Sequence, residues 1–295
     1  MGRFITLDTA FTGEGIDALP VITIEPILTN GSLVLLDPGH PASPITTAEN
    51  GDSIINLARR QAADLTGVSD PTTLDANIRI VADTEVEKKV TAEITAAGGL
   101  HLAANTSIPG PAEASVLLNT GIADWLNSHY NDHVFFVGLS HRVTRVSAGI
   151  GHRLYSGATK LDAQSLWAFD QSGDLPPQSS ATRIGYARIG ADEDTPGIIC
   201  RSIAVKGVHS TFGTFAPPFE SVVAATVGNN RQWDIASTAP FNSHILYSYY
   251  LEDLTISGRT FDQARVIWES RHNTLLATTG RYGTDTWTDP TQLFV

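Results

Sequence analysis

The feature that most constrains the fold of this chain is a series of short apolar segments separated by turn-forming residues. Between residues 147 and 257, segments rich in β-branched and aromatic residues alternate with glycine beside aspartate or asparagine. The predicted strands of this part are residues 152–155, 165–169, 182–189, 198–205 and 221–227. Such spacing is typical of an antiparallel sandwich or barrel and not of alternating β–α units.

The clearest single strand covers residues 134–146. Its apolar side chains are Phe135, Val137, Leu139 and Val143. Because successive side chains of a strand point to opposite faces, Ser140, Arg142 and Thr144 belong to the other face. Shorter strands are predicted at residues 32–37, 78–81, 90–94 and 100–104.

The last part of the pattern, residues 241–279, is a strand, a turn and a helix. A tyrosine-rich strand covers residues 241–256, and Ser257-Gly258 turns the chain. Thr260 and Gln263 then fit a capping box, in which two reciprocal hydrogen bonds begin a helix. We expect this strand to pair with the opening strand and so to close one sandwich.

Two shorter helices are also predicted. Asp52 fits the N-cap of a helix over residues 52–65, and Gly67 can supply its left-handed end. Residues 121–129 form the second, since Ile122, Trp125 and Leu126 share one face at helical spacing.

These elements predict one domain with two extensions. The body is a β-sandwich over residues 32–279, preceded by an extended N-terminal arm, residues 1–31, and followed by a C-terminal tail, residues 280–295. The arm has too little apolar sequence to fold alone. We therefore expect it to pack on the body or on a neighbouring subunit.

Composition excludes several classes of protein. The chain of 295 residues has a net charge of −12 and only four lysines, which disfavours nucleic-acid binding. Its N-terminus lacks the pattern of a signal peptide, and no apolar run approaches the ~20 residues that span a bilayer. Cys200 is the only cysteine, and its apolar neighbours predict a buried small hydrophobe without a disulfide.

Candidate catalytic groups do not form a recognised pattern. His129 and His133 have the i,i+4 spacing of metal ligands, but Asn131-Asp132 predicts a helix end between them and no zincin-type glutamate follows. We therefore expect a structural or surface role for these two residues and for His141. Glu252-Asp253 are neighbours on a strand and point to opposite faces, so they cannot form an acid/base pair. We expect no enzymatic activity.

Two loops offer candidate binding residues. Asp192, Glu193 and Asp194 carry the hard oxygen ligands that calcium prefers, although their spacing fits no EF-hand. We expect no other cofactor. Trp233 and Trp287 lie in polar, turn-like contexts, and with Tyr282 they are the candidates for a contact surface.

The order of four stretches resembles the laminin-G-like, concanavalin-A-like jelly-roll domains of tailed-phage virion proteins. The stretches are residues 31–37 (GSLVLLD), 98–102 (GGLHL), 134–143 (VFFVGLSHRV) and 249–260 (YYLEDLTISGRT). The central strand departs from that family, because Gly138-Leu139-Ser140-His141 replaces its usual tryptophan. The resemblance implies a concanavalin-like jelly roll with a few short helices, and because of this departure no ligand-binding residue is assigned from it.

The resemblance also implies a function. We expect a non-enzymatic structural protein of a tailed-phage virion, either a tail, baseplate or fibre component or a capsid decoration. Its partners would be other virion proteins and further copies of itself, after synthesis in the host cytoplasm. Two alternatives stay open: a lectin-like receptor-binding protein that recognises host-surface glycan, and a carbohydrate-active enzyme.

Overall fold

The computed structural model describes residues 25–81, 90–105, 112–146, 154–160, 164–170, 173–192, 195–210, 215, 217–219, 221–228 and 241–294. Within them the chain is mostly β and forms two antiparallel sheets in a sandwich-like arrangement, which confirms the predicted fold class. Most of the arm, residues 1–24, lies outside the described residues. The described part contains no helix that is long and apolar enough to cross a membrane.

Fourteen strands and four α-helices are described. In chain order the strands are β1 (Ser32–Leu36), β2 (Ser53–Ile54), β3 (Ala76–Val81), β4 (Val90–Ile94), β5 (Leu100–Ala104), β6 (Glu113–Leu117), β7 (Phe135–Arg145), β8 (Leu154–Lys160), β9 (Gln164–Asp170), β10 (Arg183–Gly190), β11 (Gly197–Val205), β12 (His209–Ser210), β13 (Ser221–Gly228) and β14 (Ser243–Asp253). The helices are α1 (Arg59–Thr66), α2 (Thr120–His129), α3 (Leu254–Ser257) and α4 (Phe261–Leu276), and a 3₁₀ helix covers Pro71–Leu74.

The closing strand β14 lies in the middle of the first sheet. That sheet has the order β10-β11-β7-β14-β5-β4, and β1 pairs with β14 beside β5. Residues Leu35 and Leu36 of β1 face Tyr250 and Tyr249 of β14, so the expected pairing of opening and closing strands is confirmed. The second sheet has the order β12-β9-β8-β13-β6-β3-β2.

The central strands β7 and β14 of the first sheet are covered on both faces. Side chains from both sheets, including Leu139 and Tyr249 from one and Trp167 and Phe169 from the other, form the core of the sandwich. The opposite face is covered by α4, whose Trp268 packs in one cluster with residues of β7, β11 and β14. This double covering explains why all eleven residues of β14 are buried, polar ones included.

The first predicted helix begins later than expected. Residues 53 and 54 form β2, and α1 begins at Arg59, although its left-handed end at Gly67 is confirmed. The reason is the buried side chain of Asn56, whose Oδ1 accepts from the backbone N–H groups of Leu35 and Ala58. These hydrogen bonds hold the segment before α1 against β1. The helix therefore begins at Arg59, although the local sequence favours an earlier start.

The closing strand also ends earlier than expected. It stops at Asp253, because this carboxylate accepts from the backbone N–H groups of Thr255 and Ile256 and so caps the short helix α3. The predicted capping box of Thr260 and Gln263 at the start of α4 is confirmed.

Candidate functional site

Tyr282, a predicted contact residue, is instead part of the core. Its side chain is completely buried, and its hydroxyl donates to Oδ1 of Asp37 at 2.6 Å and accepts from the N–H of Gly39 at 2.9 Å. Burial, reinforced by the adjacent carboxylate, holds the pKa of Tyr282 well above its usual value. The prediction of an exposed Tyr282 is therefore wrong, because the tail folds back onto the outer face of the first sheet.

Trp287 is the candidate aromatic residue that remains partly accessible. It packs beside the cluster that contains Tyr282, and the guanidinium of Arg142 lies 4.9 Å from the centre of its ring. Such a contact fixes the indole and leaves part of it open to solvent. Trp233 lies outside the described residues.

The predicted calcium loop is described at one residue. Asp192 is exposed and pairs with Arg188 of β10 at 3.2 Å, whereas Glu193 and Asp194 lie outside the described residues. Among the residues that are described, no three His, Cys, Asp or Glu side chains are arranged to hold a metal ion.

The two acidic residues at the end of β14 are both completely buried and serve different partners. Glu252 accepts a hydrogen bond from the hydroxyl of Thr29 at 2.8 Å and lies 3.5 Å from Arg259. Asp253 accepts from His133 and from Trp125 in addition to capping α3. Each carboxylate therefore ties a surface segment to the sheet, as the alternation of faces predicts.

Two histidines lie inside the sandwich. His141 of β7 and His244 of β14 are completely buried, with ring centroids 5.8 Å apart. Burial, with smaller effects from His101 and Arg201, lowers the pKa of His244 to about 3. Burial, with a smaller effect from the charge of Arg201, holds the pKa of His141 well below its usual range. Both rings are neutral near pH 7, and neither is accessible to an external ligand.

An ionic cluster joins the start of the described chain to α4 and the tail. Asp37 follows β1, is completely shielded from solvent, and accepts from Arg271 of α4 and from Arg281 of the tail, each at 2.6 Å. Arg271 also pairs with Glu25, which contacts His40 at 3.0 Å. The partners are more than 200 positions apart in several of these pairs, so no local sequence signal could reveal them.

An apolar groove runs along α4 beside this cluster. One wall is the segment Glu25, Pro26 and Ile27, and the other is the outward face of α4. The groove has a volume of about 390 Å³. Its residues on α4 are Val266, Ile267, Ser270, Arg271, Thr274 and Leu275.

Val266 is the main apolar side chain that the groove presents to solvent. It is 56% exposed, although it belongs to a helix whose opposite side covers a sheet. Arg271 anchors both walls, because it contacts Glu25 on one side and Asp37 beneath. The groove is therefore preformed in the described part of the chain, and its two walls are held at a fixed separation.

Comparison with known proteins yields no family. No protein-family model matches the chain, and no curated protein matches it either. Among solved structures, the binding domain of botulinum neurotoxin serotype D/C VPI 5993 is 9% identical, with a TM-score of 0.38, and covers 83% of this chain and 53% of that one. A structure of botulinum neurotoxin type C, whose cell entry depends on interaction with two ganglioside molecules, is 7% identical, with a TM-score of 0.39. The match covers 84% of this chain and 53% of that one.

The chain thus spans about half the length of the structures that it matches. With TM-scores of 0.38 and 0.39, the similarity supports no inference about ligand or function. The resemblance to phage laminin-G-like domains stays a prediction.

Proposed function

We propose that this chain is a non-enzymatic structural protein of a tailed-phage virion, which acts through assembly contacts. The observation that supports assembly contacts is the apolar groove between Glu25–Ile27 and α4, and the virion context rests on the sequence resemblance alone. We further propose its occupant: residues 1–24 of a neighbouring copy of the chain bind in the groove.

The groove has the properties of a docking site. It is apolar, it is preformed by the ionic contacts of Arg271, and it exposes Val266 in a position where burial would be favourable. Because Val266 is 56% exposed, covering it contributes about half of the ~1.5–3 kcal/mol of a fully buried valine, roughly 1–1.5 kcal/mol. Because the walls of the groove are already ordered, binding of a partner costs little free energy for ordering them.

The arm is the occupant that the sequence supports. Its apolar residues Phe4, Ile5 and Leu7 lie 18 to 21 positions before Glu25, where the groove wall begins, so this part of the arm is far enough from its own groove to reach another. The 24 residues before Glu25 reach about 80 Å when extended, whereas a chain of this size has a diameter of roughly 50 Å. The arm can therefore extend past its own body to the groove of a neighbour, and mutual exchange of arms would fill both grooves.

Oligomeric mass tests this proposal. We expect the full chain to form oligomers in light scattering coupled to size-exclusion chromatography. Removal of residues 1–24, or the substitution Val266→Lys, should yield monomers. Ser128→Lys, which places the same charge on an exposed position of α2, is the matched control and should leave the mass unchanged. A monomeric full chain, or oligomers that survive both changes, would contradict the proposal.

Glycan recognition is the second candidate function. Its support is the partly accessible indole of Trp287, held by Arg142. A glycan array probed with the full chain and with Trp287→Ala, with and without calcium, tests it. Loss of a signal in the variant would favour a lectin, and no signal in either protein would exclude this site for the sugars on the array.

A further inference from the structure

A pair of histidine rings lies at the surface beside the end of the first sheet. His129 is the last residue of α2, and the helix ends there, as the sequence indicates. The backbone nevertheless continues for one more turn, because the N–H of His133 donates to the carbonyl of His129 at 2.9 Å. The two ring centroids are consequently 4.6 Å apart, with the ring planes tilted by 46°.

The hydrogen bonds of each ring determine where its proton lies. Nδ1 of His129 is 2.8 Å from the carbonyl oxygen of Trp125, and Nδ1 of His133 is 2.5 Å from Oδ2 of Asp253. A carbonyl or carboxylate oxygen only accepts, so both Nδ1 atoms carry hydrogen. In the neutral rings each Nε2 therefore has a free lone pair, and the described residues supply no hydrogen bond to either Nε2.

This arrangement is the one that metal-binding histidines adopt. A ligating imidazole donates its other N–H to a carboxylate or backbone carbonyl, which orients the ring and raises its basicity. Here His133 has the carboxylate of Asp253, and His129 has the carbonyl of Trp125. Asp253 is completely buried and is itself held by Trp125 and by the N-terminus of α3, so it is a rigid support.

The ring spacing also fits one metal ion. With metal–nitrogen bonds of about 2.1 Å, each ring centroid lies roughly 3.2 Å from the metal. Two such rings at an angle of about 90° have centroids roughly 4.6 Å apart, which is the cis arrangement of octahedral and square-planar complexes. The centroids of the two rings are 4.6 Å apart, which is close enough for both Nε2 atoms to reach one ion.

We propose that His129 and His133 bind a divalent first-row transition-metal ion of the Ni²⁺ or Cu²⁺ type through their two Nε2 atoms. Water would complete the coordination, since the side chain of His133 is 17% exposed. Trp125 stacks on His129 with centroids 3.9 Å apart and keeps that ring in place. The proposal does not depend on the assembly function.

Titration of the full chain with Ni²⁺ and Cu²⁺ tests the site, and the protein must carry no polyhistidine tag. We expect one ion per chain by calorimetry and nitrogen couplings from two imidazoles in the Cu²⁺ electron paramagnetic resonance spectrum. His129→Gln and His133→Gln should each weaken binding about tenfold or more and leave couplings from one imidazole. His209→Gln, at a half-buried histidine of β12, is the control and should change neither result.

Circular dichroism of each variant shows whether it is folded, and the single-imidazole spectrum distinguishes loss of a ligand from general damage. No binding at millimolar metal would overturn the proposal. Binding that is unchanged in both variants, or that is lost only in His209→Gln, would overturn it as well.

Discussion

Gly138 of β7 lies directly beneath the indole of Trp268 in α4. A Cβ atom at Gly138 would be 2.6 Å from the ring, closer than side chains can approach. The absence of a side chain on the strand therefore lets the tryptophan of the helix lie flat on the sheet. Gly185 of β10 has the same relation to Phe261 of α4, since a Cβ atom at Gly185 would be 2.4 Å from the phenyl ring.

Enlarging Gly138 should separate the helix from the sheet. We expect Gly138→Ala to lower the free energy of unfolding by about 1–3 kcal/mol, because the indole cannot be accommodated over an added methyl group. Trp268→Phe should relieve part of this effect, so the double variant should lose less stability than the sum of the two single ones. Urea denaturation of all four proteins measures the coupling. Strict additivity would show that the two residues do not compete for space.

The buried carboxylate of Asp37 should be one of the strongest single contributors to stability. Asp37→Asn removes the charge that Arg271 and Arg281 share, and because Arg271 keeps Glu25 and both arginines are partly exposed, we expect a loss of about 1.5–3 kcal/mol, the range of a hydrogen bond to a charged group. Asp192→Asn is the matched control, because that carboxylate is 78% exposed and its pair with Arg188 is solvent-screened. Thermal unfolding should separate the two variants clearly. Equal effects would contradict the structural role of Asp37.

Acid should destabilise the sandwich through its internal histidines. The pKa of His244 is about 3 in the folded chain and about 6.5 when exposed, so the unfolded state binds more protons between these values. Above pH 6.5 the ring is neutral in both states, and its contribution to the stability of the fold is complete. As the pH falls from 6.5 toward 3, the free energy of unfolding decreases by about 1.4 kcal/mol per pH unit.

His244→Leu tests this linkage. The variant should show a shallower loss of stability between pH 6 and pH 4 than the unchanged chain, when both are denatured with urea at several pH values. Identical slopes would mean that His244 is not held neutral by burial.

The parts of the fold that were predictable depend on local periodicity. The alternation along residues 134–146 identified both faces of β7, and the capping box at Thr260 located the start of α4, because each signal lies within a few residues. The start of α1 was not predictable, since Asn56 is held by β1, some twenty residues away in sequence.

The candidate sites were predictable to a lesser degree. Trp287 and the pair His129 and His133 could be singled out by residue type and spacing. The buried place of Tyr282 and the meeting of His133 with Asp253 depend on contacts across more than a hundred residues. Such contacts follow from the order of strands in the sheet, which short sequence patterns do not encode.

The central claim is that the arm of one copy occupies the groove of another, and disulfide trapping tests it most directly. Cys200 is buried, and burial raises the pKa of its thiol, so introduced cysteines would react selectively. One tagged chain carries Phe4→Cys or Ile5→Cys near the far end of the arm, a second carries Val266→Cys, and the two are co-expressed and oxidised.

We predict a disulfide-linked pair made of one arm variant and one groove variant, detected by mass spectrometry after denaturation. A disulfide that forms only within a single chain carrying both substitutions, or no disulfide at either arm position, would contradict the exchange of arms between copies.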